Sequence, residues 1–284
     1  MEKVDWSILK KIYRKRDDWV RKHNFGSLLV VGGSKIYPTT PILVALAAYR
    51  AGVDWVTIAA PEEPSKIIAS YSPNLMVYPL KGDFLCIDIV EELLKISNGK
   101  DAIEIGGGLT RDEKVLEAIY EYLKRIEKPV VIDDDAIYAF ARYKEELKGK
   151  NFILTPHSYE FFVLSGRKVG TDLKERITAV KNFAKEYSVT VVLKGHIDVI
   201  SDGERVALNA TGCTTMTKAG FGNTLAGILA AYLARKIDGY TAACAAAFVN
   251  GKAGELASRK FSEGVLPTDL IEFIPEAIKK VIKY

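Results

Sequence analysis

The chain has 284 residues, of which 48% are hydrophobic and 27% are charged, and its formal net charge is +4. This length and composition favour one large α/β domain with a sizeable core. Because the few excess positive charges are dispersed along the chain, the sequence argues against a nucleic-acid-binding protein. No apolar run reaches the length of a membrane span, which argues against a membrane protein.

The cysteines are few and widely spaced. Cys86, Cys213 and Cys244 form neither a CxxC pair nor a Cys/His metal pattern. This usage, together with a charged N-terminus that has no signal-peptide core, indicates a cytoplasmic protein. The sequence contains no glutamine and is rich in Lys, Glu and Arg, a composition typical of a thermophile.

The first 24 residues predict an N-terminal helix. The basic run from Lys10 to Lys22 also contains Asp17, Asp18 and Trp19. This mixture is typical of an amphipathic helix with one solvated face.

Short β-branched runs then alternate with amphipathic patterns. The predicted strands are residues 28–31, 55–59, 102–105, 130–132, 152–154 and 189–193. The predicted helices are residues 41–51, 62–70, 88–96, 112–126, 136–147, 159–164 and 173–187. Strands that are apolar throughout and separated by helices favour a mostly parallel sheet with helices on both faces, that is, a three-layer α/β/α domain over residues 1–284.

The pattern changes after Lys194. Residues 197–201 and 206–209, joined by Asp202-Gly203, predict a β-hairpin. Three helices are expected to follow, over residues 224–235, 241–258 and 270–282.

Unusual loops follow the predicted parallel strands. They are Gly32-Gly33-Ser34, Gly106-Gly107-Gly108, Asp133-Asp134-Asp135, Thr155-Pro156-His157 and Lys194-Gly195. Because ligands of such sheets bind beyond the carboxyl ends of the strands, we expect these loops to form one site. Taken singly, each loop also has a structural interpretation: a tight turn for the glycines, a helix cap for one aspartate, and a surface position for the lysine. His157 is either a structural residue near a helix start, with Pro156 near the first helical position, or a hydrogen-bond donor to a substrate.

The strongest local signal is Gly220-Phe221-Gly222-Asn223, which precedes an apolar, alanine-rich helix predicted to begin at about Thr224. Glycines let the backbone approach a ligand closely, and a helix N-terminus presents unpaired N–H groups and a positive partial charge. Gly220 and Gly222 therefore predict an anion site, most plausibly for phosphate. A phosphoryl-transfer enzyme would use a carboxylate base at the next position, where this chain has the amide of Asn223.

As a set, these segments resemble the NAD(P)H-hydrate dehydratase family of the ribokinase-like superfamily. Residues 31–58 are similar to the family's first loop, GGSxGYxGAxxLAAxAALRAGAGLVTV. The family motifs GPGLG, LDADALN, TPHPGE, VLKG and GTGDVLAGIIAALLA are matched in order by GGGLT at 106–110, IDDDAIY at 132–138, TPHSYE at 155–160, VLKG at 192–195 and GFGNTLAGILAAYLA at 220–234.

The resemblance implies a ribokinase-like fold and a repair reaction. Family members use ADP or ATP to phosphorylate the hydroxyl of hydrated NADH or NADPH and then eliminate phosphate, which regenerates the dinucleotide. By carry-over, Thr40, Gly108 and His157 contact the dinucleotide substrate, and Asn223 lies at the reacting hydroxyl. The nucleotide is expected to be bound by Lys194, Gly195, His196, Ile197, Asp198, Gly220 and Gly222. Mg²⁺ is the expected metal, with Asp135 and Glu160 as candidate ligands.

The chain departs from the family where the chemistry occurs. Asn223 replaces the aspartate, Phe221 replaces a threonine, and Tyr138 replaces an asparagine. Three hypotheses therefore remain: a hydrate dehydratase with altered activity, a small-molecule kinase of the same superfamily, and a non-catalytic nucleotide-binding homologue. The resemblance also implies a homo-oligomer, for which the three C-terminal helices offer apolar surface. The epimerase domain that is often fused in this family is not expected, because it would need about one further domain of sequence.

Overall fold

The computed structural model describes residues 2–279, which form one ten-stranded sheet between two layers of helices. The strands are β1 (Glu2–Lys3), β2 (Ser27–Val31), β3 (Trp55–Pro61), β4 (Met76–Leu80), β5 (Ala102–Ile105), β6 (Val130–Ile132), β7 (Phe152–Leu154), β8 (Thr190–Leu193), β9 (Asp198–Ser201) and β10 (Val206–Asn209). The α-helices are α1 (Thr40–Arg50), α2 (Glu62–Tyr71), α3 (Val90–Ser97), α4 (Glu113–Arg125), α5 (Asp135–Tyr143), α6 (Ser158–Ser165), α7 (Leu173–Tyr187), α8 (Phe221–Ala234), α9 (Gly239–Phe261) and α10 (Pro267–Lys279).

The strand order is β1-β10-β9-β8-β7-β6-β5-β2-β3-β4. All neighbouring strands from β4 to β8 are parallel, and β9 is antiparallel to both β8 and β10. The mostly parallel three-layer architecture predicted from the sequence is thus confirmed, as is the β9–β10 hairpin. Strands β1 and β4 were not predicted.

The parallel strands are buried on both faces, which explains their uninterrupted apolar sequences. In β2, Leu28 and Val30 face the layer of α1, α8, α9 and α10, whereas Leu29 and Val31 face the layer of α3 to α7. Helix α8 is buried along nearly its whole length. The apolar surface of α8, which we expected to be available to an oligomer, is therefore used within the chain.

Helices α1 and α8 cross at very short distance. A Cβ atom added at Gly227 of α8 would lie 2.2 Å from the carbonyl oxygen of Val44 in α1. The backbones of the two helices are therefore in contact at a position where only glycine fits.

The N-terminal helix predicted over residues 1–24 is wrong. The structure has β1, a 3-10 helix over Trp6–Lys11 and then turns and irregular backbone up to β2. The 3-10 helix buries Ile8 and Leu9, whereas the basic segment after it buries only Ile12 before residue 26. This segment has too few core-facing positions to hold a helix against the domain.

Several helix boundaries differ from those predicted from the sequence. Helix α8 begins at Phe221, earlier than predicted, because Gly220 takes the left-handed conformation and ends the loop there. His157, rather than a residue before Pro156, is the N-cap of α6. Helix α5 ends at Tyr143 rather than at 147. Helix α10 is described up to Lys279, and the predicted end at 282 lies outside the described residues. No helix within residues 2–279 is long and apolar enough to cross a membrane.

Candidate functional site

A cleft of about 1000 Å³ opens at the carboxyl ends of the parallel strands. It lies next to the point where the strand order reverses, between β2 and β5, which is where open α/β sheets bind ligands. The predicted site residues that line it are Thr40, His157, Glu160, Lys194, Gly195, His196, Asp198, Gly220, Gly222 and Asn223.

The N-terminus of α8 forms one wall of the cleft. Gly220 is its N-cap with a φ of +99°, and a Cβ atom there would lie 2.8 Å from Cγ of Pro267 and 2.9 Å from Cδ1 of Leu43. No side chain caps this helix. Its first N–H groups therefore face the cleft without a side-chain acceptor, which makes this end of α8 suited to bind an anion.

Lys194 adds a positive charge beside these amides. Its Nζ lies 3.0 Å from Oδ1 of Asp133, 3.9 Å from Oε2 of Glu160, and 3.2 Å from the position that a Cβ of Gly222 would occupy. Burial alone would lower the pKa of Lys194, but the carboxylates of Asp133 and Glu160 raise it above its usual value. The ammonium is thus held in its charged form at the start of α8.

The loop after β8 is fixed by the partly buried carboxylate of Asp198. Oδ1 of Asp198 accepts a hydrogen bond from the backbone N–H of Gly195 (3.0 Å), and Oδ2 accepts one from Nδ2 of Asn209 (2.9 Å). Burial raises the pKa of Asp198 to about 6. Asp198 therefore shapes the loop from Lys194 to Ile197 and has both oxygens engaged. Ile197 is not among the residues that line the cleft.

Arg176 of α7 is a site residue that the sequence analysis missed. Its guanidinium is buried and donates to the carbonyl of Lys194 (3.0 Å) and to Oγ of Ser158 (3.1 Å). It thereby ties the loop after β8 to the start of α6. The sequence carried no signal for this role, because an arginine on an amphipathic helix normally indicates the solvent face.

Thr40 and Asn223 line the cleft on both sides of the Gly107-Gly108 turn, and Gly108 itself lies behind Thr40, outside the cleft lining. A Cβ at Gly108 would lie 3.1 Å from Oγ1 of Thr40, and a Cβ at Gly107 would lie 3.4 Å from Nδ2 of Asn223. Asn223 is buried within the first turn of α8, and within residues 2–279 its amide has no hydrogen-bond partner. The amide is thus available to a ligand.

His157 has the structural role at a helix start that was considered from the sequence. Its Nδ1 accepts hydrogen bonds from the backbone N–H groups of Tyr159 and Glu160 (both 3.2 Å), while the Glu160 carboxylate accepts from the N–H of His157 (2.8 Å). This is a capping box. The imidazole also lines the cleft, and burial and then the charge of Lys194 lower its pKa.

The three consecutive aspartates have different environments. Asp133 accepts from Oγ1 of Thr155 (2.7 Å) and pairs with Lys194. Asp135 uses both oxygens, accepting from the N–H of Thr110 and from Nε of Arg111 (both 2.8 Å). Asp134 has a φ of +48°, lines the cleft, and has its pKa raised to about 6 by burial and by Asp133. The expected side-chain cap is wrong, since Asp134 is the N-cap of α5 but makes no capping hydrogen bond.

The donors available for Mg²⁺ are few. Within residues 2–279, no group of three His, Cys, Asp or Glu side chains is placed to hold a metal ion. Asp135 lies outside the cleft lining, whereas Glu160 and Asp134 lie in it. Mg²⁺ commonly binds through one or two carboxylates and the phosphates of a nucleotide, so this oxygen-donor set fits that mode of binding rather than a protein cage.

Comparison with known proteins decides the family. The family model of NAD(P)H-hydrate dehydratase matches residues 28–276, which include every loop of the cleft. The chain belongs to the NAD(P)H-hydrate dehydratase family.

Two relatives that are similar to this chain differ in length. An ADP-dependent (S)-NAD(P)H-hydrate dehydratase of Cenarchaeum symbiosum is 37% identical over 94% of this chain and 92% of its own length. A bifunctional NAD(P)H-hydrate repair enzyme of Hyperthermus butylicus is 40% identical over 95% of this chain but only 51% of its own length. The chain thus spans about half the length of several curated relatives that it matches.

A solved structure of a family member is also similar to this chain. The solved structure of the ADP/ATP-dependent NAD(P)H-hydrate dehydratase of Bacillus subtilis, co-crystallised with ATP and Mg²⁺, superimposes with a TM-score of 0.83. It is 25% identical and covers 99% of both chains. The ribokinase-like fold expected from the sequence is confirmed.

Proposed function

We propose that this protein repairs hydrated NADH or NADPH by dehydration driven by ADP or ATP. The uncapped start of α8 beside Lys194 carries the proposal, since it presents amide donors and an ammonium to one wall of the cleft. Phosphoryl transfer needs such groups, because its transition state spreads negative charge over the transferred phosphoryl oxygens.

The two ends of the cleft then have separate roles. The segment from Lys194 to Asp198, with Gly220 and Gly222, binds the nucleotide. Thr40, Gly108 and His157 bind the hydrated dinucleotide, and Asn223 lies at the reacting hydroxyl between them. The proximity of Thr40 and Asn223 to the Gly107-Gly108 turn supports this division, since the three segments are separate in the chain.

Mg²⁺ would be held by Glu160 and by the nucleotide phosphates. When bound, it neutralises charge on the phosphoryl oxygens. Burial raises the pKa of Glu160 to about 7, partly offset by Lys194, so a divalent cation would favour the ionised carboxylate. Asp135 is engaged by Thr110 and Arg111 and is better suited to hold the loop after β5 than a metal ion.

The amide of Asn223 lowers the rate that we expect for the proposed dehydration. Its amide oxygen can accept a hydrogen bond from the substrate hydroxyl, but it cannot take up the proton as a carboxylate does. A missing general base commonly lowers the rate by about 10²–10⁴-fold. The same observation favours a second candidate, a nucleotide-binding homologue that does not turn over the hydrate.

The test is the recovery of NADH absorbance from hydrated NADH in the presence of Mg²⁺ and ADP or ATP. Slow recovery that needs the nucleotide supports the dehydratase. Adenylate binding without recovery supports the non-catalytic homologue. Phosphorylation of an alcohol metabolite without hydrate repair would instead indicate a small-molecule kinase, and no response to any adenylate would refute all three.

A further inference from the structure

Arg111 is a cleft residue to which the proposed reaction gives no role. It follows the glycine loop after β5, lines the cleft, and has a half-exposed side chain. Its guanidinium is fixed on two sides by helix α5. Nε donates to Oδ1 of Asp135 at 2.8 Å, and the guanidinium carbon lies 3.8 Å from the centroid of the Tyr138 ring.

The terminal NH₂ groups of Arg111 are free. Within residues 2–279, neither Nη1 nor Nη2 makes a hydrogen bond. A planar guanidinium held through Nε and stacked on a ring presents these donors in a fixed fork, which matches two oxygens of one phosphate.

The backbone beside Arg111 is strained. Thr110 has a φ of +79°, a conformation that is exceptional for a β-branched residue. Its Oγ1 is buried without a hydrogen-bond partner in the described chain, and its N–H donates to Oδ2 of Asp135. One carboxylate thus holds both the strained turn and the guanidinium. Such strain is concentrated at ligand-binding sites, where the surrounding structure enforces it.

The position of Arg111 assigns it to the dinucleotide end of the cleft. It follows Gly108 closely in the chain, and it lines the cleft together with Thr40 and His157. Gly108 and His157 are the positions proposed to contact the hydrated dinucleotide. Lys194 and the start of α8 serve the nucleotide instead.

We propose that Arg111 binds a phosphate group of the dinucleotide substrate through its two terminal NH₂ groups. The inference rests on the proposed function for the identity of the ligand. Because Asp134 and Asp135 balance its charge, Arg111 acts through directed hydrogen bonds more than through net charge. A lysine at this position would therefore not replace it.

The test compares Arg111→Lys and Arg111→Met with the wild type by calorimetry, using NADPH, NADH and ADP as probes. Both variants should bind the dinucleotides about 10–100-fold more weakly, as expected for losing hydrogen bonds from a charged group. ADP affinity should be unchanged. Arg142→Met is the matched control, because Arg142 lies on α5 with similar exposure and pairs with Glu113.

The pattern across probes identifies the phosphate. A loss confined to NADPH places Arg111 at the 2′-phosphate, and an equal loss for NADH and NADPH places it at the bridging diphosphate. Equal losses for ADP and both dinucleotides, or no loss in either variant, would overturn the proposal. The binding assay does not require turnover. If the wild type showed no hydrate repair but the Arg111 variants lost affinity only for the dinucleotides, only the proposed reaction would be refuted.

Tyr138→Leu separates positioning from folding. It removes the ring beneath the guanidinium and leaves Arg111 and Asp135 in place. It should weaken dinucleotide binding less than Arg111→Met does. If the loss of dinucleotide affinity in the three variants only followed the loss in their thermal unfolding midpoints, Arg111 would have a structural role. That result would overturn the proposal.

Discussion

The ammonium of Lys194 lies 3.0 Å from the carboxylate of Asp133 and directly faces the backbone of Gly222. The carboxyl ends of strands β6 and β8 and the start of helix α8 thereby meet at the wall of the cleft to which we assign the nucleotide phosphates.

Replacing Lys194 by methionine should weaken ADP binding by about 10–100-fold, because the phosphates lose a charged hydrogen-bond donor. The variant also leaves Asp133 buried without its cation, which lowers the free energy of unfolding by about 3–5 kcal/mol. Calorimetry and urea unfolding measure the two effects. Adding Asp133→Asn to Lys194→Met should recover stability without recovering ADP affinity. Lys185→Met, at an exposed position on α7, is the control; equal ADP binding by the two lysine variants would contradict the assignment.

Gly222→Ala should abolish most nucleotide binding without unfolding the protein. The added methyl group would lie 3.2 Å from Nζ of Lys194, in the space assigned to phosphate. Alanine is favoured over glycine within a helix by about 1 kcal/mol, so the unfolding midpoint should not fall. Gly227→Ala, on the same helix, should do the reverse and destabilise the fold by about 1–3 kcal/mol through its clash with Val44. Normal ADP affinity in Gly222→Ala would place the phosphates elsewhere.

Asn223→Asp should raise the turnover of hydrated NADH by about 10²–10⁴-fold, because it supplies the missing proton acceptor. Single-turnover NADH recovery at saturating ADP and Mg²⁺ is the appropriate measurement. Asn223→Ala serves as the comparison and should not gain rate. A wild type as fast as the aspartate variant would show that proton removal does not depend on this position.

Glu104→Gln should stabilise the protein at alkaline pH. Both carboxylate oxygens of Glu104 are buried without a partner in the described chain, and burial and then Asp133 raise its pKa well above the usual value. The folded state thus holds this proton more tightly than the unfolded state, so stability falls as pH rises above about 4.3, the unfolded pKa. Glutamine cannot ionise, and we expect a gain above about 1 kcal/mol at pH 8 with little change at pH 4. Urea unfolding at both pH values tests this, with exposed Glu117→Gln on α4 as control; identical pH profiles for wild type and Glu104→Gln would contradict it.

The strands of the parallel sheet were predictable because burial on both faces leaves a continuous apolar sequence. Strand β4 was missed since it is partly exposed and contains Pro79, which removes a hydrogen-bond donor. Strand β1 was missed because two residues carry no periodicity.

The site was predictable where backbone chemistry defines it, and less so where buried side chains do. The glycines at 106–108, 220 and 222 can be read directly from the sequence. The hydrogen bonds of Arg176 and the isolation of Glu104 depend on which loops the fold brings together, and no local pattern reports that. The prediction of an N-terminal helix was wrong because a periodic pattern of charges does not supply apolar residues that pack against the domain.

The contact between Gly227 and the carbonyl of Val44 also restricts how ligands enter and leave. Helices α1 and α8 begin at Thr40 and Phe221, which both line the cleft, and their backbones touch at this crossing. Such a close backbone contact favours movement of the two helices as one unit. We therefore expect ligands to enter and leave by displacement of surrounding loops such as residues 211–219, which line the cleft, while the separation of the two helix starts is preserved.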